Sequence, residues 1–393
     1  MNEPIRILNI VARLNVGGPA VHVTLITEHL SAPQYKSKLV AGRVSANEGD
    51  MSYYAEAHGV TPIIIPELGR ELHPLRDLLT FWKVYRLIRQ FKPHVVNTHT
   101  AKAGFVGRLA ARLAGVPVVV HTFHGHVFHG YFSPLKTRFF ILLEQFNAHL
   151  SDTIIVLTEG QRDELADKYR VAPRDKFTIM GYGLDLQEFA QSPRKTGAFR
   201  REWNIPSDAP LVTIVGRLVP VKNHALFLNA AAKVLAQLPE VRFAIVGDGE
   251  LRETLEAQTD ALGIRSAVTF TGWQREVAPI YADSDLLVIS SVNEGTPFTV
   301  IEAMATGCPV VATAVGGIPD FLDNGKLGVL VPSGDTDALA NAIVQTLQQP
   351  PDAEGLRTMI VERYGINRLA RDLDRLYREL LTKKGVNVIP PDA

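Results

Sequence analysis

One pattern occurs twice along this chain, and it leaves few folds open. In both halves of the 393 residues, short Val/Ile/Leu-rich runs alternate with longer helical patterns. That alternation marks doubly wound α/β units with parallel sheets. In the front half, strands are predicted at residues 5–11, 38–44, 62–65, 94–98, 118–121 and 153–157, with a helix over 21–30. The back half begins again at 211–215 and continues with 242–246, 267–271, 286–290, 310–312 and 328–331, with helices such as 225–238 and 250–262. The length suffices for two domains, each with its own core. The expected division is 1–190, a linker over 191–208 (polar, with Pro193, Gly197 and Pro206), 209–365, and a last segment 366–393. That segment's helical pattern either caps the second domain or crosses back to the first, and its tail reads as frayed.

Each half places a polar loop after its first strand. Asn15-Val-Gly17-Gly18 follows a strand and opens a helix, where backbone N–H groups can approach a phosphate or sugar. Two glycines can equally serve only to tighten a turn. The second half opens with Gly216-Arg217-Leu-Val-Pro-Val-Lys222-Asn223. Its two cations, five residues apart, can both reach a diphosphate, Arg217 as a fork and Lys222 as a point charge. The bland alternative is a solvated basic loop. Gly247-Asp248-Gly249 brackets the end of a further strand, on the side where such sheets bind ligands.

The most specific element is Glu294-Gly295-Thr296-Pro297-Phe298-Thr-Val-Ile-Glu302. Thr296 is predicted to cap a helix with Pro297 as its first residue. The N–H groups from Phe298 onward then make a seat for an anion. Glu294 stands before that seat and Glu302 about five residues into the helix, roughly 7–8 Å along it. Carboxylates accept hydrogen bonds and can grip paired hydroxyls, so the element suits a molecule with hydroxyls on both sides of a diphosphate. A glycosidase pair is the other reading of two such glutamates. It fares worse, because neither carboxylate is expected to be buried enough to stay protonated. Asp283 and Asp285 read as ordinary turn and capping residues.

Four histidines, His121, His124, His126 and His129, fall within nine residues. No cysteine or carboxylate accompanies them, and alternation along an extended segment points them apart, which argues against a metal site. A loop offering one histidine to a ligand fits better, with His124 before Gly125 as the candidate. Cys308, the sole cysteine, allows no disulfide framework and is assigned to packing. No run approaches the roughly 18 apolar residues of a membrane span, and the start reads as a first strand rather than a signal peptide, so a cytoplasmic protein is expected. The zero net charge hides an asymmetry. Residues 61–140 hold eleven Lys/Arg against Glu67, Glu71 and Asp77, and eleven of the twelve histidines precede residue 150.

Together these motifs resemble the retaining GT-B glycosyltransferases of family four, the group 1 set, over nearly the whole chain. The resemblance rests on Asn15-x-Gly17-Gly18-x-x-x-His22, Thr122-Phe-His124-Gly125, Gly216-Arg217-x-x-x-x-Lys222, Gly247-Asp248-Gly249, Gly272-Trp273 and Glu294 to Glu302. The run from Thr98 through Lys102, Gly104 and Gly107 to Arg108, with the histidine-rich segment, is similar to members that build bacterial surface polysaccharides. Many members carry Phe or Leu where Thr296 stands, so the motif does not name the donor sugar.

The resemblance implies two Rossmann-like domains facing a central cleft, and a nucleotide diphosphate sugar, UDP by association, held mainly by the second. Arg217 and Lys222 would hold the diphosphate with the N–H groups around Thr296, Pro297 and Phe298. Glu302 would grip the ribose and Glu294 the sugar. Gly17 and Gly18 would close over the phosphates. Gly216, Gly247, Asp248, Gly249, Trp273 and Gly295 complete the donor side. His124 would contact the sugar, its carbonyl near the anomeric carbon. Configuration would be retained, without a metal or other cofactor.

The acceptor side is assigned to Asn15, His99, Lys102 and His126 of the basic first domain. The aromatic and basic runs 78–92 and 131–140 suggest an anionic membrane surface at the cytoplasmic face and a glycan or lipid-diphosphate-linked acceptor. Against this stands the usual surface helix, apolar side in and cations out. Nucleic acid is not expected, since no recognised module for it appears. Two further readings stay open on the same fold, a nucleotide-sugar epimerase and a non-catalytic nucleotide-sugar-binding protein.

Overall fold

The computed structural model describes residues 3–15, 17–31, 33–44, 49–69, 73–125, 128, 133–295 and 297–386. The chain forms two compact units, Met1–Asp185 with Tyr364–Ala393, and Leu186–Arg363.

The first unit runs β1 (Ile5–Arg13), α1 (Gly18–His29), β2 (Tyr35–Gly42), α2 (Ser52–Ala57), β3 (Ile63–Ile64), α3 (Pro74–Phe91), β4 (Val95–His99), α4 (Ala101–Leu113), β5 (Val118–Thr122), α5 (Pro134–His149), β6 (Thr153–Val156), α6 (Glu159–Asp163) and β7 (Phe177–Ile179). Among the described residues its sheet has seven strands in the order β3-β2-β1-β4-β5-β6-β7, all parallel. The central strands are sequences such as Val-Val-Asn-Thr-His and Val-Val-Val-His-Thr, buried along their whole length. A strand covered on both faces needs such a continuous run.

The second unit contains α7 (Gln187–Gln191), α8 (Ala198–Glu202), β8 (Leu211–Val215), α9 (His224–Leu235), β9 (Arg242–Val246), α10 (Arg252–Ala261), β10 (Val268–Gly272), α11 (Ala278–Asp283), β11 (Leu286–Ile289), α12 (Phe298–Ala305), β12 (Val310–Thr313), α13 (Ile318–Phe321), β13 (Val329–Val331), α14 (Thr336–Gln348) and α15 (Ala353–Tyr364). Its six described strands lie parallel in the order β10-β9-β8-β11-β12-β13. The strand order therefore reverses between β1 and β4 in one unit and between β8 and β11 in the other. Ligands of doubly wound sheets collect at the carboxyl ends of strands around such switch points. The predicted strands all appear, with ends shifted by a few residues.

The last helix, α16 (Ile366–Lys383), belongs to the first unit. Leu369, Leu373, Tyr377 and Leu381 recur every four residues and form one buried face against Ile5, Ile7, Leu25, Val95 and Val118. Tyr377 Oη accepts from Asn97 Nδ2 at 3.1 Å. The tail beyond residue 386 lies outside the described residues.

The segment 191–208 is not a spacer, and here the sequence reading is corrected. Asp283, buried, accepts from the Gly197 and Phe199 amides at 2.8 and 2.9 Å. Arg200, also buried, donates to Asp285, to the Ala209 carbonyl and to the Pro206 carbonyl. The polar composition that suggested a linker is an internal network fixing the entry to the second unit. Asp283 and Asp285 are its anchors rather than simple surface turn residues.

Candidate functional site

In the second unit, the loops after β8 and β11 meet. Lys222 Nζ and Glu294 Oε1 form an ion pair at 2.5 Å, with Glu294 9 % exposed at its side chain. Ser291 Oγ donates to the same Oε1. Ser290 Oγ donates to the carbonyls of Lys222 and Asn223 at 2.9 and 3.0 Å. The Val292 amide donates to the Val221 carbonyl. Two serines thus hold both ends of the cation–carboxylate pair, a charge-assisted contact in a partly buried place. Arg217 stands exposed on the same loop.

Glycines set how closely these loops approach. A Cβ on Gly247, whose φ is +136°, would lie 2.0 Å from the Gly216 carbonyl oxygen. Asp248 turns inward onto its neighbours, Oδ1 accepting from the Gly249 amide and Oδ2 pairing with Arg252 at 3.3 Å. It is therefore spent on the loop. Gly316, at φ +55°, faces the Glu294 carbonyl oxygen, which a Cβ would meet at 1.8 Å. Sequence reading missed Gly316 and Gly317, although the pair Gly-Gly followed by Ile-Pro was its signal. The Gly317 amide donates to the Glu294 carbonyl at 3.0 Å, so this turn backs the glutamate.

Helix α12 starts one residue later than expected. Pro297 is the N-cap with extended backbone, not the first helical residue, and no side chain caps the helix. Proline's ring fixes a φ that either position accepts, and its missing N–H makes it neutral there. Thr296 lies outside the described residues. Gly295 is exposed, Phe298 partly buried, and Trp273 63 % exposed after β10. Glu302, four residues into α12, accepts from Tyr281 Oη at 3.2 Å. Burial pushes its pKa up to about 7, with the Tyr281 hydrogen bond opposing. The expectation that neither glutamate is buried enough to hold a proton is thus wrong for Glu302. The glycosidase reading still leaves the cations of the loop after β8 without a role.

In the first unit, the loop after β1 carries Asn15, Gly17 and Gly18. Asn15 makes an antiparallel bridge to Asp50, and Gly17 has φ +152°. After β4, Thr100 holds φ +67°, a conformation that costs a β-branched residue, and its Oγ1 accepts from the Ala12 amide at 3.2 Å. This strain ties the β4 loop to the end of β1.

Three of the histidines converge there, from separate elements. His22 of α1, His99 at the end of β4 and His124 after β5 bring ring nitrogens within 4.8 Å of one another. His99 Nδ1 and His124 Nε2 are 2.9 Å apart, and His124 Nδ1 is 2.9 Å from Tyr182 Oη. The His99, His124 and Tyr182 rings stack, with His22 edge-on to all three. Burial pushes His124 down to about 3 and lowers His22 and His99 well below the usual value, so the cluster is neutral at pH 7. His99 Nε2 has no partner among the described residues. A proton on His99 Nδ1 donated to His124, and one on His124 Nδ1 donated to Tyr182, leaves that atom a bare acceptor instead of a buried unpaired donor, the cheaper arrangement. Both ring nitrogens of His124 are then occupied. What it can offer without breaking the chain is its backbone carbonyl, beside Gly125 at φ +143°. His121 and His124 do point apart, to Thr98 and to Tyr182, and the expectation missed this convergence across elements.

Other candidates land elsewhere. His121 is a core histidine, 2.9 Å from Thr98 Oγ1. Lys102, assigned to acceptor phosphates, is buried in an ion pair with Asp77 at 2.6 Å. Arg108 is fully buried and paired with Glu144 at 2.8 Å. Gly104 and Gly107 let α4 close on the sheet, since a Cβ at either would come within 2.7 Å of His121 or Thr98. His126 and His129 lie outside the described residues. Cys308 is buried, as the packing assignment expects.

The comparisons with known proteins follow the same two units. The family model "Glycosyltransferase Family 4" matches residues 16–188, and "Glycosyl transferases group 1" matches 209–349. The Escherichia coli UDP-Gal:alpha-D-GlcNAc-diphosphoundecaprenol alpha-1,3-galactosyltransferase is 29% identical over 87% of this chain and 89% of its own. The D-inositol 3-phosphate glycosyltransferase of Thermobispora bispora is 31% identical over 74% and 71%. Among solved structures, Anabaena Alr3699/HepE in complex with UDP superposes with a TM-score of 0.79, at 20% identity, over 95% of this chain and all of its own. A glycosyltransferase from Rickettsia africae gives 0.80 at 18%, over 96% and 99%. These likenesses show the GT-B fold.

Proposed function

The chain belongs to the family 4, group 1 glycosyltransferases, and from that premise we propose that it moves a sugar from a UDP-sugar to a hydroxyl of a lipid-diphosphate-linked glycan, with retention of configuration and no metal. The observation that carries the donor half is the Lys222–Glu294 pair at the carboxyl edge of the second sheet. Lys222 and exposed Arg217 meet the diphosphate, together with the uncapped start of α12. Glu294 Oε1 is taken by Lys222 and Ser291, and its other oxygen is left to accept from a sugar hydroxyl. Glu302 accepts from the ribose hydroxyls. UDP is supported by the E. coli relative, a UDP-Gal-dependent galactosyltransferase, and by the Anabaena neighbour solved with UDP, and the lipid diphosphate by the former.

In this reading the acceptor hydroxyl attacks the anomeric carbon on the face from which the diphosphate departs. The carbon–oxygen bond to phosphate breaks as the new one forms, and the hydroxyl proton passes to a phosphate oxygen of the leaving UDP. Arg217 and Lys222 stabilise the charge growing on that group. The part His124 takes in this reading falls to its backbone carbonyl, since both its ring nitrogens are engaged by His99 and Tyr182.

The test is thermal melting with UDP, GDP and ADP in turn, in EDTA. At about 100-fold excess over Kd, binding adds about 2.7 kcal/mol, several degrees for this chain. A shift with UDP alone is expected. No shift with any nucleotide would overturn the donor assignment. Product analysis with donor alone then separates transferase from epimerase.

A further inference from the structure

Two helices of the first unit carry an exposed apolar stripe in addition to the apolar residues they bury. On α5, Leu135, Phe139, Leu142 and Phe146 are 85, 58, 56 and 53 % exposed. At about 100° per residue they fall on one stripe. The opposite face of the helix holds Glu144, paired with buried Arg108, and Asn147, fully buried. That inner face also packs Phe140, Ile141 and Ala148 into an apolar cluster, so the exposed stripe is a second apolar face beyond the one an ordinary surface helix needs. On α3, Leu75, Leu78, Leu79 and Trp82 form a second exposed stripe, and Arg86 and Arg89 continue it along the same side. Both helices begin at the carboxyl edge of the sheet, where His99 and His124 lie, and α4 packs between them.

We propose that the α3 and α5 stripes dock this unit on an anionic lipid bilayer, which deepens the lipid-linked acceptor reading and rests on it. Charge selects the occupant. Lys136 and Arg138 flank the α5 stripe and are exposed, as are Arg86 and Arg89. A second copy of the chain would bring these cations against their own kind, whereas anionic headgroups complement them. Leucine and aromatic side chains between basic residues are what an interfacial helix inserts. Not every cation of this region contributes, since Lys83, Lys102, Arg108 and Arg112 are paired within the unit. The surface is therefore an apolar stripe with a modest basic rim, not a general basic patch.

Full-length protein is sedimented with vesicles of phosphatidylcholine alone or with about 30 mol% phosphatidylglycerol at low salt. The wild type is expected to partition to the anionic vesicles, and F139S/L142S and L78S/W82S each to weaken that by at least about tenfold. All four positions are exposed, so the UDP melting shift, read in parallel, stays at the wild-type value and certifies the fold. Absence of wild-type binding, or variants that bind as well as wild type, overturns the proposal. So does a dimer, seen by analytical ultracentrifugation without lipid, that the same variants dissolve. In each of these outcomes a UDP shift leaves the transferase reading intact, while its loss strikes that reading alone.

Discussion

Replacing Glu302 by Gln should stabilise the free protein and disable it in the same stroke. Burial raises this carboxyl from 4.5 to about 7 in the folded chain. A group whose folded pKa lies above its unfolded one binds more protons in the native state, so stability falls as pH rises across the window from 4.5 to about 7. Above that window the ionised carboxylate costs the fold at most about 3 kcal/mol; below pH 4.5 the cost is gone. Glutamine keeps an oxygen for the Tyr281 hydroxyl and carries no charge to desolvate. E302Q should therefore melt higher than wild type at pH 8, by up to about 6–12 °C at 2–4 °C per kcal/mol, and most of the gap should be gone at pH 5. With UDP at about 100-fold excess over the wild-type Kd, the wild type should gain about 2.7 kcal/mol and E302Q far less. Differential scanning calorimetry at both pH values, with and without UDP, reads all four numbers. An E302Q protein no more stable than wild type at pH 8, or equally offset at pH 5, would refute the burial argument. An undiminished UDP shift would remove Glu302 from the donor site.

Lys222→Ala should cut kcat/KM by at least about a hundredfold while the circular dichroism spectrum is unchanged, because on the proposed reading it removes a cation that neutralises the leaving group; wild-type kinetics would contradict that role. Gly316→Ala places a Cβ 1.8 Å from the Glu294 carbonyl oxygen at φ +55°, so the Glu294 loop must move; loss of the UDP melting shift is expected, and a normal shift would mean that the turn does not support the site. On the proposed reading, in which two cations and a helix start stabilise the diphosphate, dialysis against EDTA should leave the transfer rate within about twofold; activity restored only by added metal would overturn the metal-independent reading.

Much of this arrangement is legible in the sequence because short-range rules govern it. Strands buried on both faces must be apolar runs, so β8 and β9 can be read to the residue. Loops at their carboxyl ends must carry the polar and glycine residues, so Gly216, Lys222 and Glu294 stand out by position alone. What escapes is whatever depends on residues far apart in the chain. Lys102 looks like a free cation until α3 folds over and Asp77 reaches it. Residues 191–208 look like a linker because their polar groups find partners about 85 positions away. Gly316 looks like any loop glycine until the Glu294 backbone is laid against it. The histidines are the sharpest case: His121 and His124, three apart in sequence, diverge, while His22, His99 and His124 converge from a helix and the ends of two strands.

The same long-range burial bears on how the donor is recognised. If Glu302 lies beside the donor diphosphate as proposed, its carboxyl, with a pKa of about 7, is pulled two ways: phosphate charge favours its neutral form, and hydroxyl donors favour its ionised form. Ribose hydroxyls in direct hydrogen bonds act at contact distance, whereas the phosphates act through intervening Lys222 and Arg217, which offset them. The hydroxyls should therefore win, and the Glu302 pKa should fall on UDP binding. At pH 7 the free carboxyl is about half protonated, so binding should release up to about half a proton and weaken progressively as pH drops below 7. Calorimetric titration with UDP in two buffers of different ionisation enthalpy measures that release directly, and E302Q should abolish it. Proton uptake on binding would mean that Glu302 faces the phosphates rather than the ribose, and the two glutamates would have to exchange roles about the helix start.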